Sequence, residues 1–200
     1  MKLIGITGGI GAGKTTVLNI IRECCNCRII IADEVAKELE KKGNSVYVKL
    51  VELLTESVLA PDEEIDKKAM AGRIFSDESG ELLAKVNAII HPLVKEYILD
   101  AIELEKGLNN VDYLVVEAAL LIEDGYMNIC DEMWYIYASS EVRTRRLIES
   151  RGYSMRKIAD IMSKQSDDSV FRKHCKYVIE NNEDIEYTRK QIEEILKDKR

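Results

Sequence analysis

Residues Lys2–Glu23 read KLIGITGGIGAGKTTVLNIIRE. It opens on Lys2–Thr7, a short apolar run that predicts a buried strand. It closes on Thr15–Glu23, where Val17, Leu18, Ile20 and Ile21 recur at a helical spacing. Between the two, four glycines fall within six residues. Glycine has the most backbone freedom to lose on folding. Such a cluster therefore marks a chain that needs positive φ, or that lets something come very close to it.

Gly8-Gly9-Ile10-Gly11-Ala12-Gly13-Lys14-Thr15 fits G-x-x-x-x-G-K-[ST] in full, between a strand and a helix start. This reads as a phosphate loop. Its glycines let successive N–H groups curl around phosphate oxygens, and the helix N-terminus adds partial positive charge. The predicted nucleotide-binding residues are Gly11, Ala12, Gly13, Lys14, Thr15 and Thr16. Lys14 is placed to reach the β- and γ-phosphates, and the Thr15 hydroxyl to ligate Mg²⁺. A dinucleotide turn would need G-x-G-x-x-G; counted from Gly9 and Gly11, its third glycine falls at Lys14. A GTPase would carry N-K-x-D, and D-x-x-G after the third strand, where Val115–Ala119 stands instead.

The rest of the chain sets the frame. Its 200 residues suffice for one sizeable core and a small appended unit. Hydrophobic content of 46% and charged content of 32% describe a soluble globular chain. A net charge of −7 and a pI near 5.1 argue against a general nucleic-acid binder. The opening MKLIGITGGIG is too short and glycine-broken for a signal peptide, and no stretch approaches a membrane span. Five cysteines, Cys24, Cys25, Cys27, Cys130 and Cys175, have no regular spacing and read as free thiols in a reducing cytoplasm.

Arg28–Ala32, Tyr113–Glu117, Met133–Ala138 and Tyr177–Ile179 are further strand runs. Trp134–Tyr137 reads as core strand rather than ligand platform. Helical segments alternate with the strands: Val35–Leu39, Val142–Ser150, Ser154–Gln165 and a final helix from Asp184. The pattern predicts an α/β fold, a parallel sheet flanked by helices. VYVKLVELL, IDKKAMAGRIF, ELLAKVNAII and HPLVKEYILDAIELE all have helix period, with no strand among them. They predict a helical insertion at about 41–107. The core is then 1–40, 108–138 and 166–200, and a lid covers about 139–165.

Asp33 follows the second strand directly, at the end of an α/β sheet where ligand crevices form. Two roles suit it there. It could take the proton from a hydroxyl attacking a γ-phosphorus, or it could cap a helix beginning at Glu34.

GITGGIGAGKTTV, ADEVAKELEKKG, RIFSD, IIHPLV, VVEAALLIEDGY, KQ and VIENN follow one another in the order typical of one family. From Lys2 to Asn182 the chain resembles the dephospho-coenzyme A kinases. The resemblance implies a phosphate-loop kinase core with a helical substrate-binding domain and a lid. It implies transfer of phosphate from ATP to the ribose 3′-hydroxyl of dephospho-CoA, the last step of CoA synthesis. It makes Asp33 the base, and turns Arg73 and His91 toward the acceptor. Lys37 stands where the family often has Arg. Asn181 and Asn182 would border the adenine, and an arginine of the basic helix, Arg146 foremost, would meet ATP phosphates.

The chain departs from the family pattern at Ile31, where the family has the first Asp of D-A-D. Ala119-Leu120-Leu121 replaces P-L-L, with Glu123 kept, and Arg146 to Arg151 is one residue longer than R-x₃-R. Arg143, Arg145, Arg146 and Arg151 also fit a plain solvated helix face. His91, before Pro92 at an expected helix start, also suits a structural role. Glu117 suits either a water-linked Mg²⁺ or a structural one. The rival readings are another small-molecule or nucleoside-phosphate kinase, and a nucleotide-binding regulator without transfer.

Overall fold

In this computed structural model, residues 1–197 are described. The final residues of the expected core, 198–200, lie outside them. The chain divides into two compact units, Met1–Ile30 with Leu108–Arg200, and Ile31–Gly107.

Five strands make one sheet: β1 (Lys2–Thr7), β2 (Cys27–Ile31), β3 (Tyr113–Glu117), β4 (Glu132–Tyr137) and β5 (Tyr177–Glu180). Their order is β2-β3-β1-β4-β5. β1 runs parallel to β3 and to β4, with Ile6 beside both Glu117 and Trp134, and β4 runs parallel to β5. The central position of β1 follows from its composition, since Ile4 and Ile6 are 0% exposed. Leu114, Val115, Trp134 and Ile136 on the neighbouring strands are equally sealed. Each such side chain contributes about 1.5–3 kcal/mol by leaving water. From β1 the chain moves to one side for β2, and later to the other for β4 and β5. The loop after β1 therefore lies where the strand order reverses, the usual place for a ligand.

The first helix of the sheet-bearing unit is α1 (Lys14–Cys24). The second unit contributes α2 (Ala32–Leu39), α3 (Ser45–Leu54), α4 (Lys67–Phe75) and most of α5 (Glu81–Leu108). The remaining helices are α6 (Ser140–Arg151), α7 (Met155–Ser163), α8 (Asp168–His174) and α9 (Ile185–Lys197). α1 packs against α9. Glu132, 4% exposed, is held by Lys2 at 2.9 Å, Lys176 at 3.3 Å and the Trp134 indole at 2.9 Å. A buried carboxylate persists only with such partners.

The second unit has its own core. α3 presents Val46, Leu50 and Leu54, four residues apart and fully buried, against Val58, Ile65, Ile74 and Val86. Asp66 caps α4, its side chain accepting from the N–H groups of Lys68 at 2.7 Å and Ala69 at 3.1 Å.

Three local expectations need correction. ELLAKVNAII and HPLVKEYILDAIELE are one 28-residue helix, α5, with Pro92 inside it. Pro92 has no N–H for the Ala88 carbonyl, a loss of about 3 kcal/mol. The buried stripe of Val86, Val94, Ile98 and Ile102 carries the helix across that break. His91 is therefore mid-helix and not at a helix start. Next, α7 ends at Ser163, earlier than expected, and Ser154 caps its start. Last, α8 is a helix that no periodic apolar run in the sequence predicts. It is seven residues long with one buried apolar residue, Phe171, too little to show a period. Phe171 docks it on β4 by stacking against Tyr135, ring centres 4.7 Å apart.

Candidate active site

The site grows from the end of β1. Gly13 occupies the position just before α1 with φ +92°, the left-handed region that glycine tolerates. A Cβ on Gly13 would collide with the Asn181 side-chain amide, and one on Gly9 with the Arg143 guanidinium. At Gly13 space and backbone shape both require glycine, whereas at Gly9 a side chain would displace the Arg143 guanidinium from the loop. Among the described residues, no side chain caps α1 and its first turn holds no acid. Its leading N–H groups and partial positive charge are thus left for an anion.

Side chains around the loop hold its carbonyls. Lys14 Nζ donates to the Gly8 carbonyl at 2.8 Å, and Arg143 Nε to that of Ile10 at 2.8 Å. The Ala12 carbonyl accepts from Asn181 Nδ2 at 2.7 Å and from Arg146 Nη1 at 3.4 Å. Gln165 Oε1 accepts from the Ile10 N–H at 3.3 Å and from Arg143. Among the described residues all peptide bonds are trans, so each C=O points opposite to the N–H that follows it. Tying back the carbonyls of residues 8, 10 and 12 turns the N–H groups of Gly9, Gly11 and Gly13 the other way. That is an anion cradle made of backbone.

Charge is arranged to match. Lys14 Nζ stands 3.5 Å from Glu117 at the end of β3. Burial lowers the pKa of Arg143 and Arg146, an effect guanidinium groups absorb without losing charge. Thr15 is exposed in the first turn of α1, open to a metal ion. A cavity lined by Tyr135, Tyr137, Arg143, Gln165 and Asp168 opens beside Gly9.

The expected site residues fall into two sets. Gly11 to Thr16, Arg146 and Asn181 gather in the first unit at the loop. Asp33, Arg73 and His91 belong to the second unit. Asp33 does not cap a helix: α2 starts at Ala32, Ile31 holds the cap position, and Asp33 lies exposed in the first turn. Arg73 is exposed in the last turn of α4, and His91 is half-buried in α5. The basic helix is not a uniform solvated face. Arg143 and Arg146 turn to the loop, whereas Arg145 is exposed and Arg151 stacks 5.9 Å from the Tyr153 ring. Gln165, which joins the loop, and Thr188, which joins Asn181, are two residues that the sequence expectations do not include. The signal for Gln165 was its place in the K-Q pair; nothing local marked Thr188.

A β1–loop–α1 cradle at the switch point of a five-stranded parallel sheet, with a lysine and a hydroxyl at its mouth, defines a phosphate-loop kinase. The dephospho-CoA kinase family model matches residues 2–187. A dephospho-CoA kinase of Geobacter sulfurreducens is 35% identical over 98% of this chain and 97% of its own length. That of Aquifex aeolicus is 33% identical, over 99% and 97%. The solved structure of TT1252 from Thermus thermophilus superposes with a TM-score of 0.78 at 26% identity, covering 98% of this chain and 97% of that one. A shikimate kinase from Acinetobacter baumannii, at 16% identity and TM-score 0.51, shares the fold alone. The chain belongs to the dephospho-CoA kinase family, and it is an ATP-using kinase.

Proposed function

We propose that this chain moves the γ-phosphoryl group of ATP to the ribose 3′-hydroxyl of dephospho-CoA, giving CoA and ADP. The observation that carries the reading is the loop whose carbonyls at residues 8, 10 and 12 are tied back, on a chain matched from residue 2 to 187. The loop N–H groups and Lys14 would hold the β- and γ-phosphates, where charge builds during transfer. The exposed Thr15 hydroxyl fits Mg²⁺, an oxygen-seeking cation that keeps most of its shell for phosphate and water. Bound there, Mg²⁺ would neutralise negative charge on the phosphates.

Asp33 would accept the proton of the attacking ribose hydroxyl. Its support is that β2 leads straight into α2, and that its carboxylate caps nothing and is exposed. Arg73 and His91, with Lys37, would face the acceptor, whose phosphates call for cations. The helical unit would then be the acceptor domain and α6 with α7 the lid. Among the described residues, no helix is long and apolar enough to cross a membrane, and we place the reaction in the cytoplasm, as the last step of CoA synthesis.

The test is ADP release with ATP, Mg²⁺ and dephospho-CoA, with the product weighed by mass spectrometry. A product heavier by one phosphoryl group supports the reading. ATP binding without such a product would send the acceptor search to nucleosides and their monophosphates.

A further inference from the structure

Asn181 follows β5 and is 4% exposed. Its backbone N–H is fixed to the Tyr137 carbonyl at the end of β4, at 2.8 Å. Its side chain is fixed at both ends: Nδ2 donates to the Ala12 carbonyl at 2.7 Å, and Oδ1 accepts from Thr188 Oγ1 at 2.9 Å. Thr188 lies in α9 and is 0% exposed.

An asparagine amide is nearly symmetric in shape, so its neighbours decide which end faces where. The Ala12 carbonyl can only accept, which demands Nδ2. The Thr188 hydroxyl has one proton, and Oδ1 can only accept it. The Asp184 carbonyl, at 3.3 Å, is the longer alternative for that proton. The Ala12 carbonyl therefore selects the orientation of the amide, and the Thr188 hydroxyl holds it there by donating to Oδ1. With Asn181 so held, the Ala12 carbonyl faces it, and the Gly13 N–H of the same trans peptide faces the opposite way.

We propose that Thr188 is a positioning residue for the phosphate loop: acting through Asn181, it fixes the Ala12–Gly13 peptide with its N–H turned toward the polyphosphate. This gives Asn181 a task on the loop backbone, distinct from any contact with adenine. It also links α9, far along the chain, to the donor site. The proposal rests on the reading of Gly8–Thr15 as a polyphosphate cradle.

The experiment is calorimetric titration of the full chain with inorganic tripolyphosphate and, separately, with ATP, both with Mg²⁺. Tripolyphosphate has no adenine, so it reports on the loop alone. Thr188→Val keeps the shape and removes the hydroxyl, leaving a buried Oδ1 without that donor. Both ligands should then bind roughly tenfold more weakly, the effect of one buried hydrogen bond. Thr188→Ser keeps the hydroxyl, and should restore both affinities even if its lost methyl group lowers the melting temperature. Three results would overturn the proposal. Tripolyphosphate could bind the Val variant as it binds the parent. ATP alone could weaken, which would assign Asn181 to the base. Both variants could melt lower with unchanged affinities, which would leave Thr188 a packing residue. Failure of the parent chain to bind tripolyphosphate would instead bring down the cradle reading, and the proposal with it.

Discussion

The Lys14 ammonium stands 3.5 Å from the Glu117 carboxylate, and the two side chains are only 18% and 10% exposed. Lys14 also donates to the Gly8 carbonyl at 2.8 Å. The lysine is thus held at the loop by its own strand end and by the neighbouring strand. A polyphosphate carries more negative charge than one carboxylate and competes for the same ammonium. Replacing Lys14 by Met keeps most of the stem and removes the charge. Turnover should fall by about 10²–10³-fold, the scale for one preorganised charged donor. The melting temperature should also drop, because a charged hydrogen bond beside a buried acid is worth about 1.5–3 kcal/mol. ADP release and circular dichroism on the same samples separate the two effects. Turnover within a few-fold of the parent would remove Lys14 from the reaction.

Asp33 gives the complementary case. Ile31 occupies the cap position of α2, so Asp33→Asn removes no cap. Its stability cost is limited to the favourable interaction of a first-turn acid with the helix dipole, about 0.3–1 kcal/mol. If Asp33 is the base, turnover should fall by about 10²–10⁴-fold while ATP affinity stays near the parent value. A variant that melts as expected yet turns over normally would take the base assignment away from Asp33.

The difference between these two residues also marks what the sequence reveals. The phosphate loop was legible because its glycines, Lys14 and Thr15 are contiguous and each answers a local demand of backbone or charge. The strands were legible because a sheet covered on both faces needs continuous apolar runs such as Tyr113–Glu117. The cap reading of Asp33 failed because α2 begins two residues sooner than its apolar spacing suggests. The ties on Ala12 and Ile10 were not legible at all. They join residues more than a hundred positions apart, through hydrogen bonds that leave no periodic trace. Pro92 misled in the other direction, since a local breaker was overridden by a buried stripe along α5.

The thiols between α1 and β2 should not react alike. Cys25 Sγ donates to the Ile21 carbonyl at 3.3 Å, and Cys27 Sγ lies 3.9 Å from the same oxygen. The neighbouring Cys25 thiol stabilises the Cys27 thiolate and lowers its pKa, with a smaller contribution from Arg22; the Cys25 thiol is correspondingly raised. Burial pushes Cys130 and Cys175 up to about 12. Since the thiolate is the nucleophile, iodoacetamide near neutral pH should alkylate Cys27 first, and Cys130 and Cys175 last. Peptide mapping at short reaction times reads the order. Early labelling of Cys175 would show that its burial does not protect it.

The same buried groups set the alkaline limit of the fold. Burial raises Cys130 and Cys175 from 9.0 to about 12, and Tyr126 from 10.0 to about 12, with Asp131 adding to the shift at Cys130 and Asp124 at Tyr126. In the folded chain these groups keep protons that the unfolded chain has already lost above pH 9 to 10. Unfolding therefore releases protons in that range, and stability falls as pH rises. The contribution is complete below the unfolded values and gone once pH passes about 12. Urea melts should accordingly give a lower midpoint at about pH 10.5 than at about pH 8, with an unchanged slope. Cys130→Ala removes one of the three groups and should flatten the decline, although it lowers the midpoint at both pH values by opening space beside Gly5, against which Cys130 packs. A midpoint that holds level between the two pH values would mean that these protons are released as readily from the folded chain as from the unfolded one.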